Sequence, residues 1–366
     1  MCIYIGLDVH SKQTVYAIQD GEGTLLAQGS VETTVEGVGE MLAKHNVPEA
    51  TRVALESGSQ SYWMSHVLSA AGMEPVVIDA REVRALAKRI GQKSDKRDAR
   101  EICDGLRRDI YTSIVWTPPA EVQRLREILS RRRHFVQLRT AEVNAAKFLL
   151  RARGLRIAKT KRFVLKSERA WKELLAKEEA GPVRAYLEWH MRTWLLADSA
   201  VAALERELQE ALGPFRETID LLMTAPGVGP ITAATYVAVI GDPRRFETSN
   251  HVVSYVGLAP STYDSGERER HGAITKRGST ELRSALVEAA HHASRPYHPL
   301  YPYFTRVMVK SGYKKAVVAV AHRLARILYR MWLRGEKFNV RHLNVELGPH
   351  TTSKTVLFRI KPKRAA

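Results

Sequence analysis

The chain has 366 residues, 45% of them hydrophobic, which is enough for two or three packed domains and excludes wholesale disorder. Lys and Arg number 57 against 39 Asp and Glu, a formal charge of +18 at pH 7. Between residues 124 and 169 stand 15 Lys or Arg and 3 Glu, so 12 of those net charges fall in one stretch; charge so confined reads as a nucleic-acid surface rather than a solubility device. Two cysteines, Cys2 and Cys103, exclude a disulfide framework and a cysteine zinc site, and read as reduced thiols of a cytosolic protein.

In chain order, residues 3–7 and 14–18 read as strands, Asp20-Gly21-Glu22-Gly23 as a hairpin turn and 24–29 as a third strand. Residues 35–45 have helical spacing, 52–55 form a short buried strand ending at Glu56, 62–71 are helical up to Gly72, and 75–78 form another apolar strand. Three antiparallel strands followed by helices alternating with parallel strands predict an α/β fold of the ribonuclease H type over residues 1–118, closed by Pro118-Pro119. Residues 95–107 read as a further helix.

Residues 119–215 predict a basic helical or coiled-coil spacer: 121–150 with the run Arg131-Arg132-Arg133, then 166–179 and 183–212, the last with a near-heptad seam at Val201, Leu204, Leu208 and Leu212. Residues 216–345 predict a mostly α domain. Pro226-Gly227-Val228-Gly229 leads into an apolar helix that runs through Ile240, a helix-hairpin-helix-like segment whose second helix offers backbone N–H groups to a phosphate. Residues 281–293 and 314–333 are helical; the second stretch is broken by His322, Arg323, Arg326 and Arg330 and reads as amphipathic rather than membrane-spanning. Residues 346–366 form a basic tail, and the first residues carry no leader-like basic and apolar pattern.

The chemistry concentrates in four carboxylates. Asp8 and Glu56 end two strands, and Asp95 and Asp98 share one face of the predicted helix. Converging, they would repel one another until a divalent cation neutralised them, and all-oxygen ligation selects Mg²⁺ or Mn²⁺. Such an ion would polarise a phosphoryl oxygen. His291, His292 and His298 lack metal-site spacing and read as surface or packing residues.

Ile5-Gly6-Leu7-Asp8-Val9-His10-Ser11-Lys12, Leu55-Glu56-Ser57-Gly58 and Lys93-Ser94-Asp95-Lys96-Arg97-Asp98-Ala99 resemble the DEDD transposases of bacterial insertion sequences, whose N-terminal domain is RuvC-like. Pro226-Gly227-Val228-Gly229, Gly257-Leu258-Ala259-Pro260, Ser265-Gly266 and Thr275-Lys276-Arg277-Gly278 resemble their C-terminal transposase domain. The resemblance implies an RNA-guided recombinase. A bridge or seek RNA would pair with donor and target DNA, and a homo-oligomer, dimer or tetramer, would exchange strands through a covalent phosphoserine. The serine matching the family's nucleophile is Ser265. On the residues alone Ser265 reads as a turn residue, with Ser261, Thr262 and Ser279 as neighbours; a serine hydroxyl needs a base or metal to activate it. The carboxylate cluster would supply that metal if the two domains meet.

The expectation is therefore a transposase acting in the cytoplasm, at the bacterial or archaeal nucleoid, with no membrane partner. Asp8, Glu56, Asp95 and Asp98 would hold metal. Arg131, Arg132, Arg133, Gly227, Gly229, Lys276 and Arg277 would touch nucleic acid. Two alternatives remain from the residues: a metal-dependent, junction-resolvase-like nuclease using water, and a non-catalytic nucleic-acid scaffold.

Overall fold

The computed structural model describes residues 2–86, 94–154, 165–265 and 268–339; at 178–179, 262–265 and 268–271 it describes the backbone alone. The predicted tail at 346–366 lies outside the described residues. Contacts divide the chain into one unit ending at Pro119 and a second beginning at Ala120.

In the first unit, β1 (Ile3–Val9), β2 (Gln13–Asp20) and β3 (Leu25–Glu32) form an antiparallel meander. After α1 (Val35–Lys44), strand β4 (Arg52–Glu56) runs parallel to β1; after α2 (Ser61–Ala70), β5 (Glu74–Ile78) runs parallel to β4. Helices α3 (Ala80–Leu86) and α4 (Asp95–Arg107) follow. The strand order β3-β2-β1-β4-β5 is consistent with the predicted ribonuclease H-like sheet.

Strand alternation explains how the layers assemble. Ile5, Leu7, Tyr16, Ile18, Val53 and Leu55 form one core with Val38 and Met41 of α1 and Met64 and Leu68 of α2. On β1, β2 and β4 the intervening positions are mostly small: Gly6, Ala17 and Ala54. They admit α4, whose Ala99, Ile102, Cys103 and Leu106 are buried. A β4 covered on both faces reads as an unbroken apolar run, which is why its period is invisible in the sequence.

The second unit opens with α5 (Ala120–Ala152), about 50 Å long at 1.5 Å per residue. Helix α6 (Glu168–Leu175) and a 3-10 turn (Glu178–Val183) lead to α7 (Arg184–Ala211). The predicted helix at 166–179 is thus shorter, cut before the 3-10 turn that contains Pro182. Ion pairs run in opposite residue order along α5 and α7, so the two form an antiparallel hairpin: Arg124 to Glu207 (3.7 Å), Arg132 to Glu205 (2.6 Å), Arg139 to Asp198, and Glu142 to His190 (2.5 Å). Val201, Leu208 and Leu212 of the predicted seam are buried and Leu204 is partly so.

The hairpin serves two cores. Ala146 and Leu150 join Trp171, Leu187 and Trp194 at one end. Leu125, Ile128, Leu129, Leu208 and Leu212 join the C-terminal helices at the other. Those helices are α8 (Arg216–Met223), α9 (Pro230–Ile240), α10 (Ser249–Val256), α11 (Thr280–His291), α12 (Tyr301–Ser311) and α13 (Tyr313–Arg334). From Ala233 to Ile240 every residue of α9 is buried. Two guanidinium groups satisfy its last carbonyls: Arg126 donates to Ala238 and Val239 (2.7 and 3.1 Å), and Arg245 to Ile240 (2.8 Å). Among the described residues no helix is long and apolar enough to cross a membrane.

The domain is mostly α, as predicted, with one small sheet added. A two-stranded hairpin, β6 (Pro260–Ser265) and β7 (Arg268–Ile274), sits between α10 and α11. Its strands are polar and lack apolar alternation, so no strand signal precedes the pairing. Helix α12 is likewise unannounced, because Pro296, Pro299 and Pro302 punctuate the stretch before and at its first turn.

Candidate functional site

Asp8 lies near the end of β1 and Glu56 ends β4. The parallel register Leu7 to Leu55 sets these two carboxylates at the same step of neighbouring strands. Both share the strand phase of Gly6 and Ala54, which faces α4. Helix α4 starts at Asp95, its N-cap Ser94 accepting the Arg97 amide (3.4 Å), so Asp95 and Asp98 fall in its first turn. The positive end of the helix dipole favours two carboxylates there.

The tertiary structure brings Asp8, Asp95 and Asp98 together and adds a residue the sequence reading did not select. His10 places Nε2 3.2 Å from Oδ2 of Asp8 and 3.6 Å from Oδ2 of Asp95. Ligand atoms of Asp8, His10 and Asp95 all lie within 4.8 Å of one another, the spacing of a cation site. A signal did exist: His10 stands two residues beyond Asp8, in the same strand phase. Burial pushes the Asp8 carboxyl above its ordinary range, His10 pulls it down, and the charges of Asp95 and Asp98 push it up again. The Asp95 and Asp98 charges make ionised Asp8 costly, and a divalent cation among these groups would offset that repulsion. Glu56 is not in that group of ligand atoms, and its Oε1 lies 3.5 Å from Nη2 of Arg84.

The approach of α4 to the sheet depends on Gly6. A Cβ there would collide with the Ala99 carbonyl and the Cys103 amide, and would stand 2.8 Å from the Cys103 Cα. All three are backbone atoms that cannot rotate away. Gly6→Ala is expected to push α4, with Asp95 and Asp98, off β1 and to cost about 1–3 kcal/mol. Chemical denaturation measures the cost; a midpoint equal to the wild type would mean that α4 adapts freely.

Ser265 is the last residue of β6, in register with Arg268, so a two-residue connection separates them. Two neighbouring hydroxyls have structural partners. Ser261 donates to the Ala273 carbonyl (2.8 Å), and Ser279 caps α11 by accepting the Leu282 amide (3.2 Å). The base of the hairpin is tightly joined. Gly257 takes φ +77°, and its missing Cβ leaves room for the Arg277 carbonyl. Lys276 N–H donates to the Gly257 carbonyl (3.1 Å), while Arg283 Nη1 donates to the Val256 and Gly278 carbonyls (3.0 and 3.1 Å). Lys276 and Arg277 are exposed beside this base.

Gly227 takes φ +84°, where a Cβ would lie 2.7 Å from the Ala289 carbonyl. Gly229 is the N-cap of α9 and brings no side-chain cap to its first amides. The arginine run divides. Arg132 is bound to Glu205, Arg133 approaches Glu281 at 3.8 Å, and Arg131 is exposed. His298 is buried, its Nε2 donating to the Pro226 carbonyl (3.2 Å) and its Nδ1 accepting the Leu300 amide (3.1 Å), so it packs as predicted.

Comparison with known proteins places the chain among transposases. A family profile described as "Transposase IS116/IS110/IS902 family" matches residues 219–302, and a second transposase profile, of the IS110 DEDD type, matches residues 5–153. A probable family 20 transposase of Pseudomonas aeruginosa is 32% identical over 248 residues, 65% of this chain and 70% of its own length. The transposase for insertion sequence element IS1111A of Coxiella burnetii is 27% identical over 77% of each chain. A pilin gene-inverting protein of Moraxella lacunata is 25% identical over 92% of this chain and 98% of its own.

Proposed function

Because this chain belongs to the IS116/IS110/IS902 family of transposases, we propose that it cleaves and rejoins donor and target DNA under the guidance of a structured RNA, through a serine-linked intermediate. The observation that carries the reading is the convergence of Asp8, Asp95 and Asp98, with His10, on the α4 side of β1. Divalent metal use belongs to the DEDD family. Asp8, Asp95 and Asp98 would hold the ion here, with Glu56 or His10 completing the set. When bound, Mg²⁺ or Mn²⁺ supplies charge to a phosphoryl oxygen and to a departing alkoxide.

Ser265 is the proposed nucleophile. Its Oγ bonds to phosphorus and one P–O bond of the DNA breaks; the serine proton passes to a base, and a proton from that base or from water goes to the departing oxygen, which leaves as a hydroxyl. The number of phosphoester bonds is unchanged, so the reverse step rejoins a strand without an external energy source. Near end-to-end similarity to a pilin gene-inverting protein supports strand exchange over simple hydrolysis. Lys276 and Arg277 at the hairpin base, the free amides after Gly229, and the α5 arginines are the proposed backbone contacts; they position nucleic acid without reading its sequence. Base pairing by an RNA removes the need for a protein motif that reads bases. An oligomer, dimer or tetramer, would hold the two DNA sites.

The test is recombination in vitro with full-length protein, donor ends and target. Recombinant junctions are expected only when co-purifying RNA is retained and a divalent cation is present. Junctions that persist after ribonuclease treatment would remove RNA guidance; junctions that persist in EDTA would remove the metal role.

A further inference from the structure

We propose that the groove between α5 and the first turn of α11 is a phosphodiester-binding site in which the Glu281 carboxylate stands where a backbone phosphate binds. The inference rests on the nucleic-acid reading above and adds a site and a competitor to it. The groove has a volume of about 290 Å³ and is lined by Ser130, Arg131, Arg133, His134 and Gln137 from α5 and Glu281 from α11. Residues 130, 133, 134 and 137 follow helical spacing and share one face of α5. Arg132 and Arg139, on the opposite face, are paired with α7. Helix α5 therefore spends one arginine face on its own hairpin and leaves the other open.

The chemistry of the lining selects an anion. Two guanidinium groups, an imidazole, an amide and a hydroxyl can all donate hydrogen bonds, and Glu281 alone is purely an acceptor. An apolar ligand would find no matching wall, and a cation would meet two arginines. The Arg133–Glu281 pair is loose: 3.8 Å separates Nη1 from Oε1, beyond hydrogen-bond range, and both side chains are about a third exposed. By contrast the Arg132–Glu205 pair closes to 2.6 Å. An open, solvated ion pair is worth little, so a phosphate that offers Arg133 a two-pronged contact can displace the carboxylate cheaply. Arg277, four residues before Glu281, is exposed at the base of the hairpin that carries Ser265.

Both DNA and RNA carry this phosphodiester, so the test uses two probes: a labelled DNA duplex of random sequence and a labelled single-stranded RNA. Full-length protein is titrated in EDTA across a salt series, with fluorescence anisotropy as the readout. Glu281→Gln is expected to tighten binding about three- to tenfold, because a competing anion is lost. Arg133→Gln should weaken it about tenfold and flatten the log K against log salt slope by about 0.7 to 0.9. Gln137→Glu, an exposed change that adds a second carboxylate to the groove, should weaken binding whatever Glu281→Gln does to stability. Effects confined to one probe assign the groove to that polymer. If Glu281 only ties α11 to α5, Glu281→Gln lowers the melting temperature without tightening binding, and Gln137→Glu binds like the wild type; that result overturns the site alone. A wild type that binds neither probe overturns the site and the nucleic-acid reading together.

Discussion

Ser265→Ala is expected to eliminate the covalent protein–DNA adduct and strand exchange while leaving DNA and RNA binding unchanged. Removing the Oγ removes the only atom in the proposed step that can hold the phosphoryl group between cleavage and rejoining. The measurement is a denaturing gel of end-labelled DNA with and without protease. The wild type should give a protease-sensitive shifted band and Ser265→Ala none. Ser261→Ala and Ser279→Ala are informative controls because both hydroxyls already have partners, the Ala273 carbonyl and the Leu282 amide. Ser279→Ala should cost about 1 kcal/mol as a lost helix cap and yet keep the adduct. An adduct that survives in Ser265→Ala would reassign the nucleophile. Cleavage by the wild type with no adduct would favour a water-driven nuclease.

Asp8→Asn should abolish recombination, by roughly a thousandfold or more, and should not weaken the fold. Its carboxyl is pushed above its ordinary range by burial and by the neighbouring Asp95 and Asp98 charges, with His10 in partial opposition. A carboxyl whose folded pKa exceeds its unfolded value favours the folded state most at low pH, below about 4, and that contribution fades as the pH rises through the folded value. At neutral pH the ionised group is therefore a net strain on the metal-free protein. Asparagine keeps the shape and removes the repulsion, so in EDTA the melting temperature should rise by on the order of 1–3 °C. The same variant should lose the stabilisation that Mg²⁺ or Mn²⁺ gives the wild type. Melting curves with and without metal separate the two effects. A variant that is less stable in EDTA, or that still responds fully to metal, would place the ion elsewhere.

The legible parts of this protein are those whose signal is local. The boundaries of α4 follow from a serine cap and an amphipathic stripe, and both operate within a few residues. The strands β1 to β5 follow from short apolar runs between turn residues, and their order then limits how a sheet can close. The hairpin β6–β7 was not legible. Its strands are polar, and what defines them is mutual pairing anchored by Gly257, Gly278 and Arg283, residues that are neither adjacent in sequence nor apolar.

By itself the sequence determined the classes of chemistry: a basic chain with a carboxylate at each of two strand ends and a pair one helical turn apart. Residue type and spacing suffice for that, because charge and periodicity are properties of the chain. Partner choice is different, since it depends on which distant groups the fold brings within a few ångströms. Only the tertiary structure decided that His10 bridges Asp8 and Asp95, that Glu56 lies beside Arg84, and that Arg132 faces Glu205 while Arg133 opens onto a groove. Adjacent arginines in one run point about 100° apart on a helix, so the same residue type at neighbouring positions meets different surroundings. A helix placed close to a sheet by one glycine then settles which carboxylates share a site.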